Sequence, residues 1–170
     1  ELSGKQFQVR YHNEFNGGFR FHNHFYRAQF NTAAGPSFNY KTADDYTSAA
    51  ITHYITQTGA TVLIIDNISC LRSGTEHISG ALPLMKHLKA LKNKYKLSVL
   101  VLAHTPKRNP TRPLSANDLQ GSKMLINFAD SAFAIGTTLR GTQPDTPQQH
   151  RYLKQIKQRS AGQLYGHTNV

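Results

Sequence analysis

The chain has 170 residues, 38% hydrophobic and 17% charged, which is enough for one domain with a buried core and excludes a disordered polyelectrolyte. Twenty Lys and Arg against nine Asp and Glu give a formal net charge of +11, so the favoured partner is a polyanion, nucleic acid before an anionic membrane. The single Cys70 excludes an intramolecular disulfide, and with no apolar run of membrane-spanning length and no signal-peptide core the expectation is a cytoplasmic protein.

The chain opens on "ELSGKQFQVRY", which reads as the middle of an element, so sequence upstream is expected. Residues 3–12 suit a short helix, residues 13–24 with Gly17 and Gly18 a loop or hairpin, and "HFYRAQF" a strand. Loop "NTAAGPSFNY" leads to a helix from Thr42. Asp44 and Asp45 suit its first turn, Tyr46, Ala50, Ile51, Tyr54 and Ile55 share one face, and Gly59 stops it. "TVLIID" then reads as a strand buried on both faces in a parallel sheet, ending in Asp66. Open α/β sheets bind ligands beyond the carboxyl ends of their strands, where a carboxylate can hold hydrated magnesium beside a phosphate; an Asp that merely caps the next turn is the equal alternative.

Residues 69–80 read as a polar loop, and 81–96 as an amphipathic helix with Leu82, Met85, Leu88, Leu91 and Tyr95 inward and Lys86, Lys89, Lys92 and Lys96 outward. "LSVLVLAH" is a second buried strand ending at His104. The long basic loop "TPKRNPTRPLSAND" follows, then "LQGSKMLINFAD" as helix and turn, and "SAFAIG" as a third strand. Thr137 to Gln149 reads as a loop, "RYLKQIKQRS" as a strand and "GQLYG" as its hairpin partner. Alternating strands and helices predict parallel crossovers, an α/β domain with a mostly parallel core and a C-terminal antiparallel hairpin.

Four separated pieces carry a resemblance. "TVLIIDNIS" resembles a Walker B strand, "LSVLVLAHT" a neighbouring strand with a polar sensor at its tip, "LQGSKMLINFADSAFAIG" the segment that follows, and "KQIKQRS" the Lys-x-Arg element of ring-forming members. Their order resembles the later two-thirds or so of a RecA-like P-loop ATPase, nearest the RepA-like and replicative hexameric helicase branch, as a single domain over residues 1–170. The glycine-rich phosphate loop GxxxxGK[ST] does not occur in these residues, and "LSGKQ" lacks its first glycine, spacing and hydroxyl residue. The resemblance thus implies a fold whose first strand and phosphate loop precede Glu1.

The same resemblance implies roles. Glu1 would orient and deprotonate the attacking water, Asp66 would hold Mg²⁺ through water, and His104 would sense the γ-phosphate of ATP. Lys157 and Arg159, on the same side of a strand, would reach a neighbouring subunit's nucleotide in a homo-oligomeric ring. Lys107, Arg108, Arg112 and Lys123 would track the phosphates of single-stranded DNA. The implied function is Mg-ATP hydrolysis driving a DNA replication or mobilisation motor. The alternative is a non-catalytic, basic nucleic-acid-binding module without a working phosphate site. Each residue also has a plainer reading: a chain terminus for Glu1, a strand-capping imidazole for His104, a solvated edge for the Lys-x-Arg pair. Two weaker signals remain. His22 and His24 are too few for a metal site. Phe15, Phe19, Phe21, Phe25, Tyr26 and Phe30 interleave with Arg20 and Arg27, either as a base-stacking platform or, for most of the rings, as packing within an irregular flap.

Overall fold

A computed structural model describes residues 3–14, 19–29, 40, 43–68, 71, 78–105, 114–119, 123–140 and 148–162. Helices α1 (Gly4–Glu14), α2 (Ala43–Thr58), α3 (Ile78–Tyr95) and α4 (Lys123–Phe128) accompany strands β1 (Val62–Ile65), β2 (Ser98–Val101), β3 (Ser131–Arg140) and β4 (Gln148–Gln158). The fold is mixed α/β, with a parallel pair β1·β2 and an antiparallel pair β3·β4. The chain divides into two compact units, Glu1–Leu71 with Leu91–Leu102, and Arg72–Ala90 with Ala103–Val170. No helix among the described residues is long and apolar enough to cross a membrane.

In the first unit, the "LSGKQ" string begins a helix. Ser3 Oγ accepts from Gln6 N at 3.3 Å while Gln6 Oε1 accepts from Ser3 N at 2.9 Å, a reciprocal box that satisfies two amide donors at the start of α1. Helix α2 is rich in threonine, a poor helix former. Its hydroxyls are accommodated by donating back to carbonyls a turn earlier, Thr52 to Ser48 O at 2.8 Å and Thr58 to Tyr54 O at 2.7 Å. Gly59 ends it at φ +65°, in the left-handed region that glycine enters without a Cβ clash. Ile51 and Ile55 are buried as the helical period requires, whereas Tyr54, expected on the same face, is exposed.

Strands β1 and β2 pair in parallel with Val62 opposite Ser98 and Ile65 opposite Val101. Burial on both faces is not what the structure contains: Ile65 is buried, but Val62 and Ile64 are 57% and 56% exposed, and Leu100 and Leu102 on the same face of the pair are exposed as well. An apolar run identifies a strand, yet whether both faces are covered depends on neighbours that four residues cannot specify. The buried apolar residues described in this unit are aliphatic, Ile51, Ile55, Ile65, Ile68, Leu71, Leu91 and Leu97. The strand expected at 24–30 is absent over 24–29: residues 23–24 turn, with Phe25 N donating to His22 O at 2.9 Å, and 25–29 form neither strand nor helix.

In the second unit, "SAFAIG" does not join the parallel pair as its third strand. It is the start of a longer β3 that runs to Arg140 and pairs antiparallel with β4. The loop expected over 137–149 is accordingly shorter, and β4 takes β3 as its partner; "GQLYG" lies outside the described residues. Ala132, Ala134 and Gly136 at alternate positions of β3 make one face smooth, which lets Tyr152 lie across Gly136 so closely that a Cβ there would overlap the ring. A register shift between Ala132 and Phe133 leaves Ile156 without an opposite residue. Leu84, Leu88, Leu114 and Leu125 are the buried apolar residues of this unit. Helix α3 passes from the second unit into the first after Ala90, exposing Lys86, Lys89 and Lys92 as expected. Lys96 ends it at φ 56°, with Leu97 N donating to Lys92 O at 3.0 Å.

Candidate functional site

Asp66 follows the last residue of β1 and is exposed. Its position is set by backbone bonds on either side: Leu102 N donates to Ile65 O at 2.9 Å, and Ile68 N donates to Leu102 O at 2.9 Å. One residue beyond β2 therefore pins both ends of a two-residue excursion that contains Asp66 and the buried Asn67. A carboxylate offered to solvent from a fixed backbone suits a water-mediated ligand of Mg²⁺, a hard cation that keeps much of its hydration shell. Among the described residues no group of three or more His, Cys, Asp or Glu side chains could hold a metal directly. The His22 and His24 rings lie 5.0 Å apart, and His22 Nδ1 accepts from His24 N at 3.3 Å, a local turn contact.

The remaining candidates are dispersed. His104 is exposed, two residues past Leu102. Glu1, Lys107, Arg108 and Arg112 lie outside the described residues, and Lys123 is the first residue of α4, its side chain undescribed. The basic loop has a firm downstream anchor that the sequence reading passed over. Leu114 is buried and its N–H donates to the Tyr152 hydroxyl at 2.8 Å. Ser115 then caps the short 3₁₀ turn Ala116–Asp118, its N–H and Oγ each donating to Asp118 Oδ2 at 2.7 Å. Ser-x-x-Asp is a capping-box spacing, so this part of the anchor was legible; the tyrosine 38 residues away was not.

Lys157 lies in β4 and Arg159 one residue past its last residue, and both serve the C-terminal end of α4 in their own chain. Lys157 Nζ donates to Ile126 O at 2.7 Å and Asn127 O at 3.1 Å, and Arg159 Nη2 donates to the same Asn127 O at 2.7 Å. Arg159 Nη1 also meets Asp130 Oδ1 at 3.2 Å, and its backbone N–H extends the ladder to Asp130 O. Carbonyls at a helix C-terminus lack intrahelical donors and carry the negative end of the dipole, so two cations complete them.

His87 is the titratable group that sequence reasoning overlooked. It lies on α3 with Nε2 buried and without a hydrogen-bond partner among the described residues, and desolvation lowers its pKa. Its neighbours Leu84, Leu88 and Leu91 on the helix face are all buried, which is the pattern that could have flagged it. The chain matches no protein-family model, and no curated protein matches it.

Proposed function

We propose that the intact protein is a RecA-like P-loop ATPase of the RepA and replicative-helicase type, hydrolysing Mg-ATP to drive movement on single-stranded DNA as a homo-oligomer. The observation that carries this reading is Asp66, set at the carboxyl end of a parallel strand and held between two backbone bonds to Leu102. In that role Asp66 would orient waters on Mg²⁺, which supplies charge neutralisation at the β and γ phosphates when bound. His104, downstream of the paired strand, would donate a hydrogen bond to the γ-phosphate. Glu1 would position and deprotonate water, and Lys107, Arg108, Arg112 and Lys123 would contact DNA phosphates.

A second reading, a basic nucleic-acid-binding module without catalysis, is favoured by the engagement of Lys157 and Arg159 with α4 of their own chain. The two are separated by Asp66→Asn in the full-length protein. The motor reading expects hydrolysis to fall about 10- to 100-fold, as when a ligand-orienting partner of a metal is lost, with DNA affinity retained. DNA binding with no nucleotide binding or hydrolysis in the unsubstituted full-length protein would establish the module instead.

A further inference from the structure

The aromatic run of the N-terminal region is neither core nor scattered. Phe7, Tyr11, Phe19, Phe21 and Phe25 touch one another, with centroids 4.4 Å apart for Phe21 and Phe25, 4.7 Å for Phe7 and Tyr11 and 4.9 Å for Phe19 and Phe21. None of them is among the buried apolar residues described in their unit, which are aliphatic. The cluster has an inner part, Phe7, Tyr11 and Phe21, half-buried, and an outer part that keeps much of its area in water: Phe19 is 48% exposed, Phe25 44% and Tyr26 57%. Packing in a flap accounts for the inner rings and leaves the outer ones unexplained.

Charge is arranged with the rings. Over residues 3–29 the cations Lys5, Arg10, Arg20 and Arg27 face a single acid, Glu14. Arg20 separates Phe19 from Phe21 in the chain, and the Arg27 guanidinium sits 5.0 Å from the centre of the Phe7 ring, so cation and aromatic form one surface. The planes of Phe7, Phe21 and Phe25 lie within 25° of one another. Phe21 and Phe25 are the closely stacked pair, so a flat aromatic guest laid on Phe25 would extend it.

We propose that this surface binds single-stranded nucleic acid, with unstacked bases lying on Phe25 and Tyr26 and the interleaved Arg20 and Arg27 meeting the backbone phosphates. Sequence-tolerant stacking combined with a cationic track is the chemistry by which single strands are held, and duplex, whose bases are already stacked, cannot use it. An apolar protein segment would not need the cations, and an anionic membrane would not need parallel ring planes. The proposal deepens the nucleic-acid half of the functional reading and is independent of its ATPase half.

The test uses fluorescence anisotropy of the full-length protein with a labelled oligothymidylate of about 20 nucleotides, an abasic strand of equal length and charge, and an oligouridylate, over a salt series. The unsubstituted protein should prefer the base-bearing strands to the abasic one by about tenfold or more. Phe25→Leu with Tyr26→Leu, which keeps apolar bulk and removes the π-faces, should abolish that preference and leave abasic binding and the salt slope unchanged. Phe25→Tyr should retain it. Arg20→Gln should lower the salt slope by about one for every strand. Equal affinity of the unsubstituted protein for abasic and base-bearing strands overturns the platform while leaving binding through charge in place. Should the leucine variant lose its cooperative melt, that same comparison of strands decides the matter alone. Binding to none of the strands at low salt overturns the nucleic-acid reading itself, and the platform with it.

Discussion

The ends of β1 and β4 both present residues singled out for phosphate chemistry, and the two ends are held by different means. Beyond β1, Asp66 is placed by main-chain bonds from Ile65 and Ile68 to Leu102, in which its carboxylate takes no part. At the end of β4, Lys157 and Arg159 are themselves the ties, their side chains closing the C-terminal end of α4. The difference separates function from folding. A side chain whose backbone is fixed by others can be replaced at little cost in stability, whereas a side chain that completes a helix end carries part of the fold. The parallel and antiparallel pairs differ in length rather than in cover: β1 has four residues, whereas β3 and β4 hold a long ladder with a ring lying over Gly136, and each pair leaves apolar residues open to water, Val62 and Ile64 in one and Phe133, Ile135 and Leu153 in the other.

The sharpest way to break the comparison is at the antiparallel pair. Gly136→Val should cost about 1–3 kcal/mol, because the new side chain must displace the Tyr152 ring and with it the hydroxyl that accepts from Leu114 N. Urea unfolding measures the loss, and a double-mutant cycle with Tyr152→Ala should be strongly non-additive; additive effects would show that the ring is not what excludes a Cβ. Next comes Lys157→Met, with an expected loss of about 1 kcal/mol as Ile126 O and Asn127 O lose a charged donor. Arg159→Gln should cost less, since its pair with Asp130 is about half exposed, and that loss should shrink in high salt. A Lys157 variant with full stability and no ATPase activity would reverse the assignment, placing the cation in catalysis rather than in the α4 cap.

His87 predicts a smaller, pH-dependent effect. Burial lowers its folded pKa, so the unfolded chain takes up the proton first as pH falls below the ordinary imidazole value of about 6.5. Stability should be unaffected by this group above that value and should decline as pH drops from there toward the folded pKa. His87→Gln should flatten that part of the profile, checked by unfolding midpoints at about pH 7.5 and about pH 5. The smallest stability change is expected for Asp66→Asn, within about 0.5 kcal/mol, even though the functional reading gives it the largest loss of hydrolysis. A marked fall in melting temperature would mean that the carboxylate caps the following turn, the plainer of its two readings.

Much of the secondary structure was legible because its signals are local. The periodic leucines of α3, the isoleucines of α2 with Gly59 behind them, and the branched run of β1 each act within one element. The errors arose where a partner decides the outcome. "HFYRAQF" has strand composition but forms no strand over 25–29, where Phe25 instead meets Phe7 of α1. "SAFAIG" looks like another core strand and instead joins β4, since hydrophobic alternation does not state which neighbour a strand takes. At the candidate site, Asp66 stood out as an acid at a strand end, but its pinning to Leu102 and the use of Lys157 and Arg159 by α4 could not be read from spacing.

By itself, then, the sequence determined the basic character of the chain, its helices and strands and the candidate residues, because charge, periodicity and capping are properties of short segments. Tertiary structure alone decided which strands pair, which apolar faces meet water and which cations are taken up by a helix end. Those outcomes depend on contacts between residues far apart in the chain, and the free energy of such a contact exists only once both partners have been brought together.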